Sequence, residues 1–168
     1  MTISLYAASV PVFKQMLKGM SGILTKAEAH ASENKIDHNA YLQARLFPDM
    51  FALVKQVQVA CEFARGGSAR LAGLDAPVVE SKEATFAELQ TLLAQTASYL
   101  DGLKPAQIDG AEAREITLRP GTPKERKFQG QAYLLAYVLP QFFFHVTTVY
   151  AILRHNGLAV GKQDYMGM

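Results

Sequence analysis

The sequence predicts an all-α fold, a bundle of four helices with a small β-hairpin between the third and the fourth. Three observations carry this. Apolar residues recur at spacings of three and four in several separate stretches. The stretch 131–153 contains no Asp, Glu, Lys or Arg, as suits a central helix. Between the third and fourth helical stretches the pattern changes to polar–apolar alternation around a Pro-Gly turn. The 168 residues are 49% hydrophobic and 19% charged, a composition that suits one domain spanning 1–168.

The first helix carries Phe13, Met16, Leu17, Met20, Leu24, Ala27 and Ala31 on one side. Pro11 stands near its start, where a missing N–H costs little. Gly19 and Gly22 lie inside it. Each costs about 1 kcal/mol against alanine, so both suggest close helix contact. The second region runs from Asp37, a plausible N-cap, to Ala72. Pro48 interrupts it, which predicts a short helix near 38–46 and a long one from Pro48, or one kinked helix. Gly66-Gly67 could stop the long helix early, and Gly73 is the later stop. Residues 74–82 read as a loop.

The third helix opens on Thr85 and Glu88, spaced as a capping box, and ends at Gly102 and Pro105. Its stripe is Phe86, Leu89, Leu93, Thr96, Leu100 and Leu103. Glu115–Leu118, the turn Pro120-Gly121-Thr122-Pro123 and Arg126-Lys127-Phe128 predict the hairpin. The fourth helix spans about 131–155 and stops at Asn156-Gly157, with a kink expected at Pro140. A tail follows. Across the four helices the predicted core includes Phe13, Leu17, Met20, Leu53, Val57, Leu89, Leu93, Leu135 and Ile152.

Charge argues against a nucleic-acid partner. The 17 basic and 15 acidic residues leave a net charge of +2, and the basic residues are scattered rather than gathered on one face. The one local excess, Arg119, Lys124, Arg126 and Lys127, is broken by Glu125 and reads as a solvated turn. The single cysteine, Cys61, rules out an intrachain disulfide and points to a reducing, cytoplasmic setting. The N-terminal stretch lacks a basic n-region and a long apolar h-region, which argues against a signal peptide. The uncharged stretch has the length of a membrane span. It contains Pro140, Gln141, His145, Thr147 and Thr148, so a buried helix is expected and no membrane partner.

At about 100° per residue, Lys55, Gln58, Glu62 and Arg65 form one polar stripe on the second helix. Leu53, Ala60, Asp49 and Gln56 lie opposite. A carboxylate and an amide on a core face need partners. Asp49, just after Pro48, also suits a first helical turn, where a carboxylate meets free N–H groups. Gln56 reads as a core amide bonded to a neighbouring helix. His145, inside the apolar fourth helix, is the matching group, with Thr148 one turn on and Tyr150 nearby. Asp49, Gln56, His145, Thr148 and Tyr150 are therefore the expected polar focus, as a ligand site or as a polar core. His155 suits a helix C-terminus, and His30 and His38 suit surface or capping positions. Cys61 reads as a small buried hydrophobe. There is no Gly-rich phosphate loop, nucleophile elbow or His-Glu-x-x-His, and nothing assigns a catalytic residue or a cofactor.

The run Leu42-Gln43-Ala44-Arg45-Leu46-Phe47-Pro48-Asp49-Met50-Phe51, followed by Gln56-Val57-Gln58-Val59-Ala60-Cys61, resembles a bacterial domain family of unknown function. So does Phe143-Phe144-His145-Val146-Thr147-Thr148-Val149-Tyr150-Ala151-Ile152-Leu153-Arg154-His155-Asn156-Gly157. That family is similar to the DinB/YfiT-like superfamily of metalloenzymes. The resemblance implies an up-down-down-up DinB-like four-helix bundle in place of a simple up-and-down one, often dimeric. Better-known members bind a divalent metal with three histidines, one from helix two and two from helix four. This chain departs from that set. His145 matches a helix-four ligand, Val149 stands four residues on, and helix two offers Gln56 or Asp49. No tightly bound zinc is expected.

Three readings follow. The first is a small-molecule-binding protein or enzyme with a cleft near His145, oriented by Asp49. The second is a non-catalytic homodimeric helical module. The third is a divalent-metal-dependent enzyme of the DinB-like type.

Overall fold

Helices form where an apolar stripe meets a start signal, and the computed structural model describes residues 3–78 and 80–168. In chain order the elements are α1 (Val10–Glu33), α2 (His38–Leu42), α3 (Leu53–Leu71), α4 (Phe86–Gly102) and α5 (Pro105–Ile108). Strands β1 (Glu115–Leu118) and β2 (Arg126–Gln129) follow. One continuous helix then runs Gly130–His155. It comprises α6 (Gly130–Tyr133), a π-helical turn (Leu134–Val138) and α7 (Leu139–His155), and α8 (Lys162–Met166) closes the chain.

The local signals act as expected at several ends. Pro11 sits in the first turn of α1. Asp37 caps α2 by accepting from Asn39 N at 2.9 Å. Thr85 accepts from Glu88 N at 3.2 Å, and the Glu88 carboxylate accepts from Thr85 N at 3.0 Å. The hairpin is antiparallel, pairing Ile116 with Phe128 and Leu118 with Arg126.

The protein is mostly helical. Helix α3 lies against α4 and α7, and α1 lies against the same two helices and against α8. Between them the apolar stripes are sealed. Phe13 and Phe142 meet edge-on, with ring centroids 4.8 Å apart. By length and composition Gly130–His155 could cross a membrane. Its Leu134, Val138, Phe142, Val149, Ile152 and Leu153 are instead buried in the core.

Four expectations need correction. Helix α3 begins at Leu53, not at Pro48. Residues before it turn on themselves, Met50 N donating to Phe47 O, and Leu53 N reaches back to Ala44 O at 2.9 Å. Gly66-Gly67 does not end α3. A Cβ at Gly67 would stand 2.6 Å from Val138 Cγ1, so the glycine admits the π-helical turn. Leu135 is 50% exposed rather than in the core. The π turn adds a residue to the helical repeat and moves Leu135 off the buried stripe. The turn ends just before Pro140, which has no N–H and would crowd the carbonyl of Ala136 in a regular helix. Finally, the tail folds as α8 against α1. A Cβ on Gly19 would meet Tyr165 O at 2.5 Å, so the close approach at Gly19 is made to this chain's own C-terminal helix.

Candidate functional site

Gln56 and His145 meet across the α3–α7 contact. Both are almost fully buried. The Gln56 amide nitrogen donates to Phe51 O at 3.1 Å, which turns its carbonyl oxygen toward His145. Gln56 Oε1 lies 2.6 Å from His145 Nδ1. A carbonyl oxygen only accepts, so Nδ1 carries the hydrogen. In the neutral ring Nε2 then holds the free lone pair. Burial holds the His145 pKa below the ordinary histidine range, and the charge of Glu62 partly opposes this.

The His145 ring stacks on Phe63, with centroids 6.0 Å apart and planes 16° from parallel. Phe63 in turn lines a cleft of about 360 Å³. Helix α3 supplies Glu62, Phe63, Arg65, Gly66 and Arg70. The loop after α3 supplies Ala76, Pro77 and Val78. The hairpin supplies Leu118 and Arg119, and the helix after it supplies Tyr133 and Tyr137. His145 does not line this cleft; one aromatic ring separates them.

The π turn matters here. Tyr133 and Tyr137 stack, with centroids 5.9 Å apart, and Phe63 meets Tyr137 edge-on at 5.9 Å. The Tyr133 hydroxyl accepts from Arg70 Nη1 at 3.3 Å, and the same nitrogen donates to Gly66 O at 3.1 Å. Arg119 holds a φ of 51°, uncommon for a residue with a side chain. It lines a second recess with Lys124, Arg126 and Gln141 as well.

Only one pair of the expected focus is brought together. Asp49 is exposed, in the turn ahead of α3. The helix wheel misplaced it because the wheel assumed helix from Pro48. Thr148 is buried but satisfied locally, its hydroxyl donating to Phe144 O at 2.7 Å. Tyr150 is half-buried and packs edge-on against Tyr165 of α8. The polar stripe of α3 is mixed. Gln58 and Arg65 are buried, while Glu62 is exposed. Sequence reasoning missed the arginine-lined cleft, because its far wall comes from the 74–82 loop and the hairpin. Cys61 is wholly sealed, and burial pushes its thiol up to about 12, which leaves no nucleophile there.

The family model for DUF1993, a domain of unknown function, matches residues 5–166. The chain belongs to the DUF1993 family. Its solved relatives include a DinB family member protein from Shewanella denitrificans. That protein is 40% identical, with 98% of this chain and 92% of that one covered and a TM-score of 0.89. No curated protein matches. The DUF1993 chain is therefore DinB-like in fold, as the resemblance implied.

A three-histidine metal centre does not fit this DUF1993 chain. His145 leaves Nε2 free as a ligand, but the positions that would bring two further imidazoles hold the amide Gln56 and the buried hydrocarbon Val149. Among the described residues, no three His, Cys, Asp or Glu side chains converge.

Proposed function

We propose that the protein binds a small molecule in the cleft between α3, the loop after it and the hairpin, one ring from His145. The observation that carries this is the cleft itself. A concave site of about 360 Å³ combines an aromatic wall, Phe63 and Tyr137, with a few polar groups, the usual make-up of a ligand site. His145 backs Phe63, its orientation locked by Gln56, so a ligand pressing on Phe63 changes the environment of the imidazole. The α1–α4–α3–α7 contacts support the DinB-like four-helix bundle, and the sealed thiol of Cys61 supports a reducing, cytoplasmic setting.

Two-dimensional NMR with phenol, benzamide and benzoate tests the reading. At least one probe should shift the amides of Gly66, Leu118 and Tyr137, together with the His145 ring signals. Shifts confined to the groove between α1 and α4, which Leu17, Gln90 and Leu93 line, would defeat it.

A second reading, a homodimer, is favoured by exposed aromatic residues. Phe47, Phe51 and Phe144 are 64%, 49% and 54% exposed. Phe51 and Phe144 are linked through Gln56 and His145, and Phe47 lies in the turn just before Phe51. Helix α7 presents Phe144 to such an interface, whereas Gly19 on α1 is already covered by α8. Light scattering over a wide concentration range should report the mass of two chains. A monomer mass throughout would end the idea.

A further inference from the structure

We propose that the cleft takes a small organic anion, seated with its carboxylate or phosphate oxygens on Arg65; this rests on reading the cleft as the ligand site. Arg65 is only 6% exposed and lines the cleft. Its Nε is sealed from solvent without a hydrogen-bond partner. Among the described residues its guanidinium makes no hydrogen bond and no ion pair.

That state is unusual for this group. A guanidinium stays charged at any physiological pH, and removing it from water without a counter-charge is costly. The nearby acids are committed elsewhere. Glu62 accepts from Ser81 Oγ at 3.0 Å and lies 3.9 Å from Lys55 Nζ. The Glu83 carboxylate accepts from Gln58 Nε2 at 3.1 Å. Neither acid pairs with Arg65, so an anion entering the cleft would meet an unpaired guanidinium.

The rest of the cleft fits the same ligand. Arg70 and Arg119 add two cations against the single acid Glu62, so the local field attracts anions. The forked N–H donors of arginine match the planar oxygens of a carboxylate or the oxygens of a phosphate. Phe63 and Tyr137 offer ring faces and edges to the apolar body of the molecule.

Calorimetry on the intact protein tests this with benzoate and phenyl phosphate, with benzamide as the neutral isostere and inorganic phosphate as a headgroup alone. One of the two aromatic anions should bind about tenfold or more tightly than benzamide. Which anion wins separates carboxylate from phosphate. Arg65→Met should lower that affinity by about tenfold or more. Its urea midpoint without ligand should be unchanged or higher, because an unpaired buried charge has gone. Arg119→Gly suits the left-handed backbone on an exposed hairpin, and it should weaken the anion without unfolding the protein; it serves if Arg65→Met does not fold. Equal affinity for benzamide and the anions would overturn the anion assignment and leave the cleft standing. Inorganic phosphate binding as tightly as phenyl phosphate would overturn the organic part. Loss of stability in Arg65→Met with anion affinity intact would make Arg65 structural and end the proposal. If no probe binds, the cleft reading itself fails.

Discussion

Replacing Phe142 with alanine should lower the unfolding free energy by about 3–5 kcal/mol. Phe142 is fully buried on α7. Its ring meets Phe13 of α1 edge-on, so it closes the contact between the first and last long helices. Deleting the ring removes its transfer free energy. It also leaves a hole whose walls belong to helices pinned at both ends, which limits collapse. An edge-to-face pair adds about 0.5–1.5 kcal/mol beyond buried area, so the loss should sit toward the upper end. Urea unfolding of the two proteins measures it. A change within about 0.5 kcal/mol, the range of surface positions, would show that the ring is not in the core.

The second large effect is expected at Gln56. Gln56→Leu should cost about 1–3 kcal/mol, because the His145 Nδ1–H is left buried without an acceptor. Adding His145→Phe to Gln56→Leu should restore part of the loss, and the double-mutant cycle should show coupling of about 0.5–3 kcal/mol. Additivity would mean that the two side chains do not interact. The pair also sets a pH dependence. Burial lowers the His145 pKa in the folded protein, while the unfolded chain titrates near about 6.5. The unfolded state therefore binds the proton more readily. Stability is complete above that unfolded value and is lost as pH falls from it toward the folded value. Comparing urea midpoints at about pH 7.5 and about pH 5.5, His145→Gln should flatten this part of the wild-type slope. A slope unchanged by the substitution would count against a buried neutral imidazole.

These two residues also show what could be read from the amino acids alone. Gln56 and His145 each sit on an apolar face of a regular helix, so simple periodicity found both, and the need of a buried polar group for a partner paired them. The capping box at Thr85 and Glu88 and the turn at Pro120–Pro123 are short-range signals, and the corresponding elements formed where expected. Asp49 failed because proline permits a helix start without compelling one. The chain spends Phe47–Met50 on a turn held by Leu53 N and Ala44 O, a contact that periodicity cannot anticipate. Arg65 failed for a different reason. On the helix wheel it shares a stripe with Lys55 and Glu62, and its burial comes from parts of the chain packed over α3 that a wheel does not include. The basic run from Arg119 to Lys127 is exposed, as a solvated turn should be, and what periodicity did not show is that Arg119 also lines the cleft.

The π-helical turn Leu134–Val138 gives the cleft an unusual kind of encoding. Leu139 N bonds back to Leu134 O, five residues earlier, so the helix there holds more chain per turn than an α-helix does. Losing one residue from this turn would restore the ordinary repeat. Winding the same residues as an ordinary α-helix would instead rotate Tyr133 by about 100° relative to α7, carrying one wall of the cleft away while every side chain that lines it kept its identity. Relatives with all of these lining residues at the same spacing but a regular α-helix in place of the π turn would not be expected to share the ligand. For this cleft, the winding of the helix between the hairpin and Pro140 carries information that a comparison of matching residues would overlook.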